Sequence, residues 1–122
     1  MSTELLISVV DDDESFRFAI VGSLRSLGYA ARGFASGEEF IAANGAASCD
    51  CLITDIHMRG MSGIDLVKLL HAQGSTVPTI MITGRPEPGL ETKAAALGTV
   101  CLLRKPFETD ALIHCLEKAL NI

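Results

Sequence analysis

The sequence predicts an α/β domain: a doubly wound, five-stranded parallel sheet with helices on both faces. Three observations carry that prediction. Five short apolar or β-branched runs, each the length of a strand buried on both sides, recur along the 122 residues. Between them lie segments with apolar residues at helical spacing, opened by capping residues or closed by glycine. No linker, repeat or low-complexity stretch interrupts the alternation, so one domain with one core is expected over residues 1–122.

The first strand is read over residues 5–10, LLISVV, and runs into the acidic cluster Asp11, Asp12, Asp13 and Glu14. Residues 15–27 then place Phe16, Ala19, Ile20, Leu24 and Leu27 at helical spacing and stop at Gly28, a C-cap signal. The second strand is read over 29–34. Ser36 and Glu39 follow with capping-box spacing, each placed to satisfy a free helix N–H, and that helix is expected to reach about 44–45. The third strand, 50–55, stops abruptly at Asp55. Ser62 caps a helix carrying Ile64, Val67, Leu69 and Leu70, which ends at Gly74. The fourth strand covers 77–83, with Pro78 at its entrance, where a missing N–H does least harm. The loop 84–89 contains Pro86 and Pro88 and cannot be helical through both, so the fourth helix starts late, near Leu90, and ends by Gly98. A fifth strand at 100–103 leads through Lys105, Pro106 and Phe107 into a last helix over 109–120.

Right-handed crossovers between parallel strands put helices on both faces, and at this length the flavodoxin-like order 2-1-3-4-5 is the usual solution. Aromatics make up 5% of the chain against 48% hydrophobic residues, and Trp is absent, so the core must be packed from Leu, Ile, Val, Ala and Met. The net charge of -5 argues against direct nucleic-acid binding by this segment, which needs a basic face. No apolar run approaches the roughly 20 residues that span a bilayer, so no membrane association is expected. The start at Met1, Ser2, Thr3 and Glu4 lacks the basic region of a signal peptide, and a cytoplasmic location is expected. Cys49, Cys51, Cys101 and Cys115 form no paired knuckles, and the three histidines fall outside zinc spacing. They read as reduced, buried thiols acting as small apolar residues.

Ligands of such sheets bind at the carboxyl ends of the strands, at the switch point between the first and third. Those ends carry Asp11 and Asp12, Asp55, Thr83 and Lys105. Alone, Asp55 would read as a turn starter or helix cap. Together, three carboxylates repel one another unless a cation intervenes, and a hard divalent ion such as Mg²⁺ suits oxygen ligands. Asp12 and Asp55 are the expected direct ligands, Asp11 acts through water, and the backbone carbonyl of His57 completes the set. Asp13 and Glu14 read as favourable charge at a helix N-terminus. Mg²⁺ in a partial cage recruits phosphate oxygens, for which Lys105 supplies a point charge and Thr83 a hydroxyl. Asp55 then has the setting of a nucleophile that becomes an aspartyl phosphate.

The combination of Val10, Asp11 and Asp12, of Asp55 with Met58 and Gly63, of Thr83 with Gly84, and of Lys105, Pro106 and Phe107 resembles the receiver domain of two-component response regulators. The resemblance covers the whole chain. It implies a CheY-like fold, Mg²⁺, and phosphorylation of Asp55 by a sensor histidine kinase or a phosphotransfer protein. It also implies an output face made of the fourth helix, fifth strand and fifth helix, through which a homodimer could form. No turnover of an external substrate is implied. Met61, Ser62 and Gly63, with Ile82, Thr83 and Gly84, look most like the FixJ-type receivers that precede a helix-turn-helix DNA-binding domain, which would regulate transcription from outside this segment.

Two positions depart from the family pattern. Arg59 and Gly60 stand where the family usually has proline, which loosens the loop and brings a cation near the phosphoryl position, with a solvated arginine as the plainer reading. Leu102 stands where the family's switch uses an aromatic, so the output is expected to pass through the Pro86–Pro88 loop and the short fourth helix. His57 and Arg85 occupy the positions that tune phosphoryl lifetime in the family. Two other classes compete. A Mg²⁺-dependent phosphatase would need a carboxylate two residues past its nucleophile, where this chain has His57. A receiver-shaped binding module without phosphorylation is opposed by Asp11, Asp12, Asp55 and Lys105.

Overall fold

The computed structural model describes residues 4–85 and 87–122. Met1, Ser2, Thr3 and Pro86 lie outside the described residues, and with them the reading of the chain start and of one loop proline.

Five parallel strands, β1 (Leu6–Val10), β2 (Ala30–Phe34), β3 (Cys51–Asp55), β4 (Thr79–Thr83) and β5 (Cys101–Arg104), form one sheet in the order β2-β1-β3-β4-β5. This is the expected topology. The helices are α1 (Glu14–Ser26), α2 (Gly37–Ala42), α3 (Gly45–Ser48), α4 (Gly63–Ala72), α5 (Leu90–Ala96) and α6 (Thr109–Leu120).

Strand alternation divides the core between the two faces. Ile7, Val9, Cys51, Ile53, Ile80 and Ile82 point to the side covered by Ile20, Val21 and Leu24 of α1 and Leu112, Cys115 and Leu116 of α6. Val10 and Leu52 point the other way, onto Phe40 of α2 and Leu66 and Leu70 of α4. On that same face Met81 packs with Val67 of α4 and Leu90 and Ala94 of α5. β3 and β4 are buried along their whole length, which places Asp55 and Thr83 where two covered strands reach the rim.

The caps mostly follow the sequence. Asp13 is the N-cap of α1, its side chain accepting from Phe16 N–H at 3.2 Å, and Glu14 lies in the first turn, as their reading as helix-terminal charge requires. Ser62 caps α4 by accepting from Asp65 N–H at 3.1 Å. Ser36 caps α2 from Glu39 N–H, but the Glu39 carboxylate accepts the Ser36 hydroxyl instead of a backbone N–H, so the expected reciprocal box is only half made.

The second helix is shorter than expected and is followed by an extra turn. It stops at Ala42, Asn44 takes a left-handed conformation at φ 53°, and the four-residue α3 follows. The cause is packing. Gly45 lies so close to the fully buried Phe40 ring that a Cβ there would overlap it, so the chain folds back over that ring rather than continuing straight. The third strand likewise starts at Cys51 and not at Asp50, whose carboxylate turns to accept the Leu6 N–H at 2.8 Å.

All four cysteines are free, with Cys51 and Cys115 buried. Burial pushes the Cys51 thiol up to about 12, far from a reactive thiolate.

Candidate functional site

The site is assembled from the C-terminal ends of β1, β3, β4 and β5. Asp11 leaves β1 into the rim and is almost wholly buried. One of its oxygens accepts the Asp13 N–H at 2.9 Å, and its own carbonyl takes the Arg17 guanidinium at 2.7 Å. Asp55 ends β3; its Oδ1 accepts the His57 N–H at 3.1 Å, an Asx-type turn that fixes the carboxylate as the strand gives way to loop. Gly63, at the start of α4, donates to the Ile56 carbonyl at 2.9 Å and lies against the Asp55 backbone, where a Cβ would overlap the Asp55 carbonyl oxygen. A side chain at 63 would therefore push α4 off the strand that carries Asp55.

Lys105 arrives from β5, its N–H held by the Thr83 carbonyl at 2.8 Å, with the Lys105–Pro106 peptide cis. Its Nζ lies 2.9 Å from Asp55 Oδ2 and 3.2 Å from Asp11 Oδ2, and sits over the Phe16 ring at 3.9 Å. Phe16 is itself braced edge-on by Phe107. Burial lowers the affinity of Lys105 for its proton, but the hydrogen bond and charge of Asp55, joined by those of Asp11, outweigh it and hold the pKa above 10.5. The ammonium is thus charged at neutral pH. For Asp11 burial dominates, raising its carboxyl above 3.8 against the Asp13 N–H, and the nearby charge of Asp55 pushes the same way.

Asp12 stands apart from this pair. Its Oδ2 accepts both the Arg59 N–H at 3.0 Å and the Arg59 Nε at 3.3 Å, and these contacts, the backbone one first, hold its carboxyl below 3.8. Arg59 is at once the solvated arginine of the plain reading, with 87% of its side chain exposed, and a cation at the site. Thr83 is buried, and its hydroxyl donates to the Arg85 carbonyl at 2.9 Å and accepts the Arg85 N–H at 3.0 Å, so it is engaged with its own loop rather than with Asp55.

The residues read from the sequence, Asp11, Asp12, Asp55, Thr83, Lys105 and His57, all reach one rim. Among the described residues no three side chains close into a ready metal cage. The donor set still suits Mg²⁺, which binds through one or two carboxylates and keeps several waters. Buried Asp11 and Asp55 share one lysine, and Asp12 is balanced by one arginine, leaving an excess of one carboxylate charge over the paired cations.

One partner escaped the sequence. The His57 ring lies 2.9 Å from Glu87 Oε1, tying the loop after β3 to the loop after β4. Thirty residues separate them and no local pattern links them. Asp12, His57, Arg59, Arg85, Glu87 and Lys93 contribute to the lining of an open cavity of about 570 Å³ between the loops after β1, β3 and β4. Leu102 is half-buried against Met81, Leu90 and Ala94, and with Thr83 it borders a second cavity of about 200 Å³.

This fold and rim define a class. The chain matches the family model of the response regulator receiver domain over residues 7–117 and belongs to that family, the signal-receiving module of two-component systems. It is 36% identical over 121 residues to the transcriptional regulatory protein FixJ of Bradyrhizobium diazoefficiens, covering 99% of this chain and 59% of that protein. A response regulator receiver protein from Burkholderia phymatum shares 38% identity with a TM-score of 0.86, over 98% of this chain and 97% of the other. The chemotaxis protein CheY4 of Vibrio cholerae shares 29% identity with a TM-score of 0.87, over 97% and 100%. The chain spans between half and three fifths of the length of the first curated relatives it matches. Among the described residues no helix is long and apolar enough to cross a membrane.

Proposed function

We propose that Asp55 accepts a phosphoryl group from a sensor histidine kinase or phosphotransfer protein, and that this chain acts as a Mg²⁺-dependent switch and not as an enzyme turning over external substrate. The observation that carries the reading is the bridging of Asp55 Oδ2 and Asp11 Oδ2 by Lys105 Nζ, at 2.9 and 3.2 Å. A lone buried carboxylate would be a poor acceptor of a dianionic group. One flanked by a fixed ammonium has a charge already aimed at the phosphoryl oxygens.

Asp12, Asp55 and the His57 carbonyl would hold Mg²⁺ directly and Asp11 through water, and the ion when bound offsets negative charge on the phosphoryl oxygens. The chain's own residues do the rest. An Asp55 carboxylate oxygen attacks phosphorus, an O–P bond forms as the donor's N–P bond breaks, and the imidazole leaves with a proton. The His57 N–H holds Oδ1 and so orients the carboxylate for attack. Lys105 follows the charge from the carboxylate to the phosphoryl group. The Thr83 hydroxyl leaves the Arg85 carbonyl for a phosphoryl oxygen, releasing the loop after β4.

With Leu102 in place of a switch aromatic, that release passes to α5, and α5, β5 and α6 form the output face and the surface for pairing with a second copy. The length of relatives such as FixJ supports an effector domain outside this segment that binds DNA to regulate transcription, which this acidic segment does not do itself. A cytoplasmic location fits that role.

Incubation with Mg²⁺ and acetyl phosphate or a phosphorylated kinase should add one phosphoryl group by mass, and Asp55→Asn should abolish it. Labelling that survives Asp55→Asn would sink the assignment. Release of product from a chromogenic phosphate ester well beyond one equivalent would overturn the non-enzyme reading.

A further inference from the structure

We infer that Arg59 is a tethered counter-ion for Asp12 with which a divalent ion competes, so that this residue sets how much Mg²⁺ the site requires. The inference rests on the reading of Asp12 as a metal ligand, and concerns a position where this chain has its own residue.

Asp12 Oδ2 receives two donors from one residue, the Arg59 N–H at 3.0 Å and the Arg59 Nε at 3.3 Å. A carboxylate oxygen offers two lone pairs, so both on this oxygen are engaged. A metal ion approaching Oδ2 meets no free lone pair, and one approaching Oδ1, which Arg59 does not contact, still meets the guanidinium's charge across the same carboxylate. The backbone N–H is fixed by the loop, but the guanidinium is not: 87% of the Arg59 side chain is exposed, and it opens on the cavity of about 570 Å³ that it lines with Asp12, Arg85 and Lys93. The guanidinium is therefore the part that yields. Its departure costs the ion pair, and until it moves away it repels the incoming divalent charge.

Asp11 and Asp55 carry no such exchangeable partner. Their cation, Lys105, comes from the residue that follows β5 and is needed beside the phosphoryl group. Arg59 is thus a positioning residue acting through Asp12. It holds Asp12 in place before metal arrives, and makes metal entry a competition.

The two contributions, an exposed ion pair and a screened repulsion, together amount to roughly a three- to tenfold weakening of Mg²⁺ binding at low ionic strength. The test is titration of the whole chain with Mg²⁺ alone, followed by amide shifts and calorimetry, in wild type, Arg59→Ala and Arg59→Lys. Arg59→Ala should bind Mg²⁺ more tightly by that factor, and Arg59→Lys, which keeps the charge, should stay within about twofold of wild type. Added monovalent salt should narrow the gap between wild type and Arg59→Ala. Because Arg59 is exposed, the variants fold alike, and unchanged urea denaturation without Mg²⁺ confirms it. Equal or weaker binding by Arg59→Ala, with wild type binding, overturns this inference alone. If neither protein binds Mg²⁺, the metal reading of the site falls as well, and this inference with it.

Discussion

Lys105 Nζ stands between Asp55 Oδ2 and Asp11 Oδ2, and this one cation from the end of the edge strand β5 joins carboxylates at the ends of two adjacent interior strands, β1 and β3. Both carboxylates are buried, so the ammonium offsets a repulsion that water cannot screen. Replacing it with an uncharged chain of similar length, Lys105→Met, should cost about 1–3 kcal/mol of stability at neutral pH, measured by urea denaturation. The deficit should shrink on acidification, because one of the stranded carboxylates then takes up a proton. Adding Asp11→Asn to Lys105→Met should recover much of the loss, a non-additivity expected of groups in direct contact.

Asp11 gives a pH signature of its own. Its folded pKa is raised above 3.8, chiefly by burial, so its contribution to stability is complete below 3.8 and is lost as the pH rises through the raised value. Asp11→Asn, a neutral mimic of the protonated form, should therefore be more stable than wild type at pH 7. The gap should close as the pH falls towards 3.8. Asp12 has the opposite sign: its pKa is lowered, its stabilisation is present above 3.8, and it is lost only below that. Denaturation of the two proteins across this range separates these contributions, and a gap that widens on acidification would contradict the assignment.

Gly63→Ala should be the most damaging small substitution near the site. The added Cβ would overlap the Asp55 carbonyl oxygen and stand 3.0 Å from the Asp55 carbonyl carbon and the Ile56 Cα, all backbone atoms that cannot rotate away. A loss of about 2–3 kcal/mol is expected from overpacking, seen as a lower urea midpoint with an unchanged slope. Gly22→Ala, where nothing lies within 4 Å, is the matched control and should not lose stability.

Thr83→Val keeps the shape of the side chain and removes its hydroxyl. Arg85 N–H and carbonyl then lose the partner they hold at 3.0 and 2.9 Å. Stability should fall by about 1 kcal/mol, and the Arg85 amide should exchange faster with solvent while amides of β4 stay protected.

The sequence by itself determined the strand order, the core and the rim. Buried parallel strands must be apolar along their length, so β1, β3 and β4 advertise themselves, and the carboxylates or hydroxyl at their ends mark where each leaves the core. Asp11, Asp55, Thr83 and Lys105 were legible for that reason. The tertiary structure alone decided which of those groups meet. It gave Lys105 to Asp11 and Asp55, and turned Asp12 to Arg59 from a loop 47 residues away. It set the Thr83 hydroxyl on Arg85, tied His57 to Glu87, and broke the second helix at Asn44 so that the chain could wrap Phe40. Each of these depends on a distance across the fold. Local patterns of apolar and polar residues record burial, but an ion pair between loops leaves no periodic trace in either partner's neighbourhood.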